Sequence, residues 1–350
     1  MSADKPPFEY SCPVPASADT VQLDHGGGGQ LAHQLLHEVI LPRFANEIAA
    51  SGHDSAMLDL RNPRVAFTTD SFVVNPLEFP GGDIGKLAVF GTVNDLLMAG
   101  ALPRHISCSL IIEEGLPLAV LRRILQSMAT AAGEAGVTIV TGDTKVVERG
   151  HGDGLFINTA GIGERIGEIV IAPQSIRAGD CILLSGDIAR HGIAVLAQRE
   201  GMRFDAPVDS DCASLLPAVS ALLDENIEVH CLRDATRGGL ATILLELAEI
   251  SGLCFAIDEE RIPVADAVRG ACELLGLDPL YIANEGCFVA IVPAAQAERA
   301  LAVMRAHSVS EQSVLIGQVS EGAPALMLNA ATGTRRQLRR LTGQPLPRIC

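Results

Sequence analysis

Short apolar runs of strand character alternate with runs of helical spacing through most of this 350-residue chain. That alternation is the feature that most limits its fold. It selects layered α/β architectures over bundles and sandwiches. Val65-Ala66-Phe67, Ile106–Leu110, Val137–Val140 and Leu155–Gly163 read as strands. Between them, Leu118 to Gly133 reads as a helix, and Asp83 caps another that runs to Met98 and stops at Gly100. Leu31 to Ala50 has helical spacing that Pro42 interrupts. A second block opens at Ala178-Gly179-Asp180 with the strand Cys181–Ser185. Helices follow near Ile193–Glu200, Ala213–Asn226, Leu240–Ser251, Val264–Leu275 and Ala294–Ala306, with strands Phe288–Val292 and Val314–Val319 among them. The expectation is an α/β (α+β) protein of two domains, at residues 55–165 and 166–331. An N-terminal extension with a Gly-rich loop and helix (1–54) precedes them, and a flexible tail (332–350) follows.

Charge narrows the function classes. The chain carries 42 Asp+Glu against 26 Lys+Arg, no Trp and two Tyr. An acidic, aromatic-poor surface disfavours nucleic acid as a partner. No apolar run reaches membrane-helix length, and the start lacks a basic region followed by an apolar one, so neither a membrane span nor a signal peptide is expected. Nine scattered Cys without a CxxC pair fit a reducing cytoplasm.

The chain ends Pro345-Leu346-Pro347-Arg348-Ile349-Cys350. Two prolines stiffen the segment, so it reads as an arm bearing a thiol whose reactive form Arg348 favours and the adjacent terminal carboxylate opposes. Taken alone, Cys350 is better read as an incidental end residue. No acidic side chain follows Glu321, whereas Arg335, Arg336, Arg339, Arg340 and Arg348 do, so the tail is expected to be drawn to the acidic body.

Several stretches carry chemistry. His25-Gly26-Gly27-Gly28-Gly29 precedes a helix, where backbone N–H groups can meet phosphate oxygens, although it is neither a P-loop nor a dinucleotide fingerprint. Asp70, Asp83, Asp95, Asp143 and Asp234 are each expected near a strand end, turn or helix start. Carboxylates so placed suit a hard cation that bridges to phosphates, although each alone could be a cap or turn former. Lys145 stands beside Asp143, and Glu285 lies in the turn Asn284-Glu285-Gly286. His191-Gly192 opens a helix, where a capping or exposed role is expected for the imidazole.

Six of these stretches recur, in this order, in one superfamily. They are Thr69-Asp70-Ser71, Gly81–Lys86, Val93-Asn94-Asp95-Leu96, Gly142-Asp143-Thr144-Lys145, Asp234–Gly239 and Asn284-Glu285-Gly286. The chain resembles the aminoimidazole ribonucleotide synthetase-like proteins, which include selenophosphate synthetase and thiamine monophosphate kinase. The glycine run and the terminal Pro347-Arg348-Ile349-Cys350 narrow the resemblance to the hydrogenase maturation family of HypE carbamoyl dehydratases, over residues 20–350. It implies N-terminal domains paired into a homodimer barrel with ATP near the interface. It implies a carbamoyl group delivered to Cys350 by the transferase HypF. ATP-dependent dehydration to a thiocyanate would follow, with cyanide passing with HypC and HypD to the iron of [NiFe]-hydrogenase. On this basis Asp70, Asp95, Asp143 and Asp234 are expected to hold Mg2+, and Glu285 and Lys145 to move protons beside Cys350. His25, Gly26, Gly27, Gly28, Gly29, Asp83, Lys86, Asn94 and Thr144 are expected to contact ATP. The rival readings are a superfamily kinase or synthetase acting on a free small molecule and a non-catalytic maturation scaffold. The N-terminal extension, residues 1–20, departs from the family pattern, and the resemblance assigns it no role.

Overall fold

The computed structural model describes residues 19–26, 30–48, 56, 58–61, 63–167, 170–203, 207–341, 346 and 348–350. Gly27, Gly28, Gly29, Pro345 and Pro347 lie outside them. Near the N-terminus, α1 (Gln30–Gln34) continues as a π-helical turn, Leu35–Ile40, and a 3-10 turn, Leu41–Arg43, that contains Pro42.

The first domain is a four-stranded sheet in the order β1-β6-β4-β5. Its strands are β1 (Val65–Phe72), β4 (Ala101–Glu113), β5 (Thr138–Val147) and β6 (Leu155–Arg165), and a small hairpin of β2 (Glu78–Phe79) and β3 (Gly82–Asp83) leads into α2 (Ile84–Met98). β4 and β5 run parallel, so they need a crossover, which α3 (Leu118–Glu134) supplies. The Asp83 carboxylate caps α2 by accepting from the Gly85 and Lys86 N–H groups at 2.7 and 3.0 Å. α2 packs on one face of the sheet. The opposite face is open in the single chain, and Val65, Phe67 and Ile111 stand exposed on it, Phe67 by 68%.

Two strands are longer than the sequence suggests. β1 runs through Asp70, and β5 runs through Asp143 and Lys145, so neither acid sits at a strand end. Their polar neighbours mimic turn residues but alternate on a half-open sheet. In register, Asp70, Thr159, Cys108 and Gly142 form one row across the sheet. Three strand spacings separate its two edges, about 14 Å.

The second domain holds a seven-stranded sheet in the order β13-β12-β9-β11-β7-β10-β8. Its strands are β7 (Asp180–Leu184), β8 (Cys231–Asp234), β9 (Cys254–Asp258), β10 (Phe288–Pro293), β11 (Val314–Ser320), β12 (Ala325–Asn329) and β13 (Arg335–Leu338). Every residue of β7 is buried, as suits a strand covered on both faces. The helices are α4 (Arg190–Glu200), α5 (Leu216–Asp224), α6 (Gly239–Ser251), α7 (Asp266–Leu275) and α8 (Ala297–Arg305). Among the described residues no helix is long and apolar enough to cross a membrane.

The expected flexible tail is corrected in its first half. Arg335–Leu338 pairs with β12, the Tyr281 hydroxyl donates to the Arg339 carbonyl at 2.7 Å, and Arg340 pairs with Glu249 at 2.6 Å. An edge strand accepts arginines on its solvent side, so the basic run is sheet rather than arm.

One buried cluster runs from α2 and α3 into α5, α8, β7 and β10 and fuses the two domains. Asn94 stitches the join. Its amide donates to the Ala213 and Glu285 carbonyls at 3.0 and 3.4 Å and accepts from Leu215 N–H at 2.9 Å. The side chain is 2% exposed, so these bonds have no water to replace them. Asn94→Ala is expected to lower unfolding stability by about 2–4 kcal/mol. Urea unfolding measures it, and a loss below about 0.5 kcal/mol would contradict the stitch.

Candidate active site

A cavity of about 570 Å³ opens between the domains. β1 contributes Thr68, Thr69, Asp70 and Ser71, and α2 contributes Asp95. Arg233 and Asp234 come from the end of β8, Thr236 and Arg237 from the turn into α6, and Glu285 from the turn before β10. Cys350 completes the lining. The sheet edge, one helix and two turns thus gather chemistry scattered over nearly the whole chain.

The carboxyl groups in this cavity disfavour one another's charge. Burial raises Asp70, and the Asp95 charge adds to it. Burial also raises Asp95, against the bond from Thr68 Oγ1 at 2.8 Å. Asp234 is pushed up to about 7, first by burial and then by Asp95. Glu285 is raised well above the usual carboxylate range by burial and by Asp211, Asp234, Asp70 and Asp95. Its Oε1 is buried with no hydrogen-bond partner. Arg237 lies 3.7 Å from Asp70 and offsets part of this repulsion. Such a set favours a cation or proton donors at its centre. Among the described residues, however, no three His, Cys, Asp or Glu side chains are already arranged around a metal position.

Backbone geometry explains how Glu285 is held. The Asp211 carboxylate accepts from the Glu285 and Gly286 N–H groups, both at 3.1 Å. A Cβ on Gly286 would collide with the Asp211 carbonyl, so glycine lets the two turns close. Asn284 Oδ1 accepts from Ala189 N–H at 2.6 Å and fixes a residue with a left-handed φ of 74° just before α4.

Cys350 points inward, and burial beside Glu285 pushes its thiol up to about 12. This corrects the expectation that Arg348 promotes the thiolate. Its guanidinium is engaged instead with Asp153 and with the Val73 carbonyl.

The remaining expected site residues lie elsewhere. Asp143 and Lys145 pair at 2.6 Å on β5, and the lysine holds the Asp143 carboxyl below its ordinary range. With His25, Gly26 and Thr144 they line a second cavity of about 620 Å³ at the opposite sheet edge. Within one chain, therefore, Asp143 does not join Asp70, Asp95 and Asp234, and Lys145 does not stand beside Glu285. Asp83, Lys86 and Asn94 line neither cavity. Asp83 is a helix cap, Lys86 Nζ donates to the Gly81 carbonyl at 3.0 Å, and Asn94 is the domain stitch. His191, expected as a cap or an exposed group, is fully buried. Asp211 has no signal in the sequence, whereas Arg237 stands inside a recognised stretch without an assigned role.

The chain matches the AIR synthase related protein models for the N-terminal domain at residues 52–165 and for the C-terminal domain at residues 177–328. It is 48% identical to the carbamoyl dehydratase HypE of Cupriavidus necator, over 97% of this chain and 98% of that protein. The fold superposes on the crystal structure of hydrogenase maturation protein HypE in complex with ATP with a TM-score of 0.91 and 48% identity, over 94% of this chain and 99% of that one. It also matches a chain of a crystal structure of a HypE–HypF complex, with a TM-score of 0.78 and 44% identity, over 88% and 99% of the two chains.

A buried thiol with a raised pKa is a slow nucleophile at neutral pH. Cys350 is expected to react with iodoacetamide at pH 8 at least about tenfold more slowly than free cysteine. Urea should restore the ordinary rate. Peptide mass spectrometry reads both, and an ordinary rate in the folded protein would contradict the docked position.

Proposed function

The chain belongs to the HypE carbamoyl dehydratase family of the AIR synthase-related proteins, and we propose that it dehydrates a carbamoyl group carried on Cys350 to a thiocyanate. ATP is the phosphoryl donor, a reading that the ATP complex of a similar protein supports. The thiocyanate provides the cyanide ligand for the iron of [NiFe]-hydrogenase. The observation that carries this reading is the placement of Cys350 in one cavity with Glu285, Asp70, Asp95 and Asp234. A kinase for a free substrate has no use for a thiol docked there, and a pure scaffold has no use for the crowded carboxyl groups.

The chemistry follows from a poor leaving group. In S–C(=O)–NH2 the oxygen cannot depart as oxide. Attack of that oxygen on the γ-phosphorus releases ADP, and the nitrogen gives up one proton. The C–O bond then breaks, phosphate leaves, and the nitrogen loses its second proton to give S–C≡N. Glu285 is the group for these proton movements, since its Oε1 is buried and unpartnered. Burial and the neighbouring carboxyl groups raise its pKa well above the usual range, and a cation beside it would favour the accepting carboxylate form. Asp70, Asp95 and Asp234 would hold Mg2+, whose charge would balance both the carboxylates and the phosphates. Their raised pKa values fit that donor role.

His25, Gly26 and Thr144 are the expected ATP contacts that line the second cavity, beside Asp143 and Lys145. A homodimer would reconcile the two cavities. The open sheet face exposes Val65, Phe67 and Ile111, and among the described residues no further strand pairs with the outer side of β1 or β5. A second copy closing over that face by a two-fold axis would form a barrel of two four-stranded sheets. Asp143 and Lys145 of the partner subunit would then complete the site around Cys350. The carbamoyltransferase HypF would load the thiol, a role supported by the HypE–HypF complex of a similar protein, and HypC and HypD would receive the product.

Mixed dimers test this arrangement. Lys145→Ala and Cys350→Ala are each expected to lack dehydration alone. After unfolding and refolding together, half the dimers would pair Cys350 of one chain with Lys145 of the other in one of two sites. About a quarter of the wild-type rate is expected. No recovery, with mixed dimers present by native mass spectrometry, would place both residues in the same chain's site or remove Lys145 from it.

A further inference from the structure

We infer that α4 is the latch for the inward position of the C-terminal segment, with His191 and Arg199 as positioning residues that capture its backbone. The inference rests on the reading of Cys350 as the carrier thiol. The last three carbonyls are all taken. His191 Nε2–H donates to the Ile349 carbonyl at 2.9 Å. Arg199 Nη2 donates to the Arg348 carbonyl at 2.6 Å, and its Nε donates to the Asn75 carbonyl at 2.8 Å. Asn75 N–H donates to the Arg348 carbonyl at 3.3 Å, and Val73 N–H to that of Cys350 at 3.2 Å. The segment is thus held against the stretch that follows β1 and clamped from the other side by α4.

The imidazole is built for this one bond. A carbonyl only accepts, so Nε2 carries the proton. Burial keeps the ring neutral and lowers its pKa to about 4, so Nδ1 accepts from the Ser210 hydroxyl at 2.8 Å. Ser210 in turn accepts from Cys212 N–H at 3.1 Å, and the edge of Phe79 stands against the ring with centroids 5.4 Å apart. The Asn284 bond to Ala189 N–H sets the turn from which His191 projects, so the stretch that carries Glu285 also aims the latch. Gly192 leaves room for the seat. A Cβ there would run into Ile282 and meet Leu346 at 3.2 Å. Ile349 is 4% exposed in the resulting pocket.

Every one of these bonds reads backbone or Arg348, and none reads the thiol. The latch therefore accepts Cys350 free or carbamoylated. Release needs the α4 contacts to open together with the weaker bonds from Val73 and Asn75 and the Arg348 contacts to Asp153 and Val73.

The test uses the full-length protein without ATP or carbamoyl donor, so it does not depend on dehydration occurring. His191→Phe is expected to raise iodoacetamide labelling of Cys350 about tenfold and to speed hydrogen exchange at the Val73 and Asn75 amides by a similar factor. His191→Gln keeps an amide donor near Nε2 and should stay within about threefold of wild type. Arg199→Ala should move both readouts in the same direction, and it serves if His191→Phe fails to fold. Wild-type labelling and exchange in a folded variant would overturn the latch. A His191→Gln protein as open as His191→Phe would replace the bond with mere ring packing and overturn it too. In carbamoylated protein, His191→Phe should load normally but dehydrate about tenfold more slowly. Absence of dehydration in wild type would instead undo the proposed function and leave the labelling result standing.

Discussion

The burial of α2 on every side is the constraint on which the molecule rests. All of its fifteen residues except Lys86 and Asp95 are buried, which is the pattern of a helix held between layers rather than on a surface. One side meets the first sheet, and the other joins the core of the second domain. Asp83 caps the helix start, and Asn94 stitches its last turns to the loop before α5 and to the Glu285 carbonyl. Asp95, one residue on, is thereby fixed at the cavity between the domains. A shift of α2 would move the carboxylate, the stitch and the turn carrying Glu285 together.

Crowded carboxyl groups would be a liability in an empty structural cleft. Here Asp70, Asp95, Asp234 and Glu285 all have raised pKa values, and Arg237 is only a partial offset. Groups in that condition gain from a cation and can exchange protons near neutral pH, which is why perturbed clusters gather at reactive sites. The body is acidic, with a formal net charge of -16, so an anionic nucleotide needs cations to approach it. The docked segment brings a neutral thiol into this field, and a neutral group buries there at far lower cost than a thiolate.

Much of the fold is legible in the sequence because its strong signals agree. Asp83 and Gly100 mark the ends of α2, and the apolar runs of β7 and β10 identify buried strands. The reading falters where polarity imitates a turn. Asp143 sits inside a strand because an open sheet face accepts polar residues, and Asp70 does so because its edge strand turns it into the cavity beside α2. Arg335–Leu338 resembles a solvated tail because an exposed edge strand carries charge. The candidate site is legible as a set of motifs but not as a map. Nothing in the order of residues tells that Asp143 and Lys145 occupy the far edge of the sheet from Asp70, a separation fixed by β6 and β4 standing between them. Nor does a histidine beside a glycine announce that it is buried and bonded to a residue 158 positions away.

Intact-mass spectrometry of the carbamoylated chain, followed through a single turnover with Mg-ATP, tests the central claim most directly. The account predicts loss of the mass of one water from the adduct on Cys350, with one phosphate released for each conversion and no change without ATP. Phosphate release while the adduct keeps its mass, or water loss on any other residue, would contradict it.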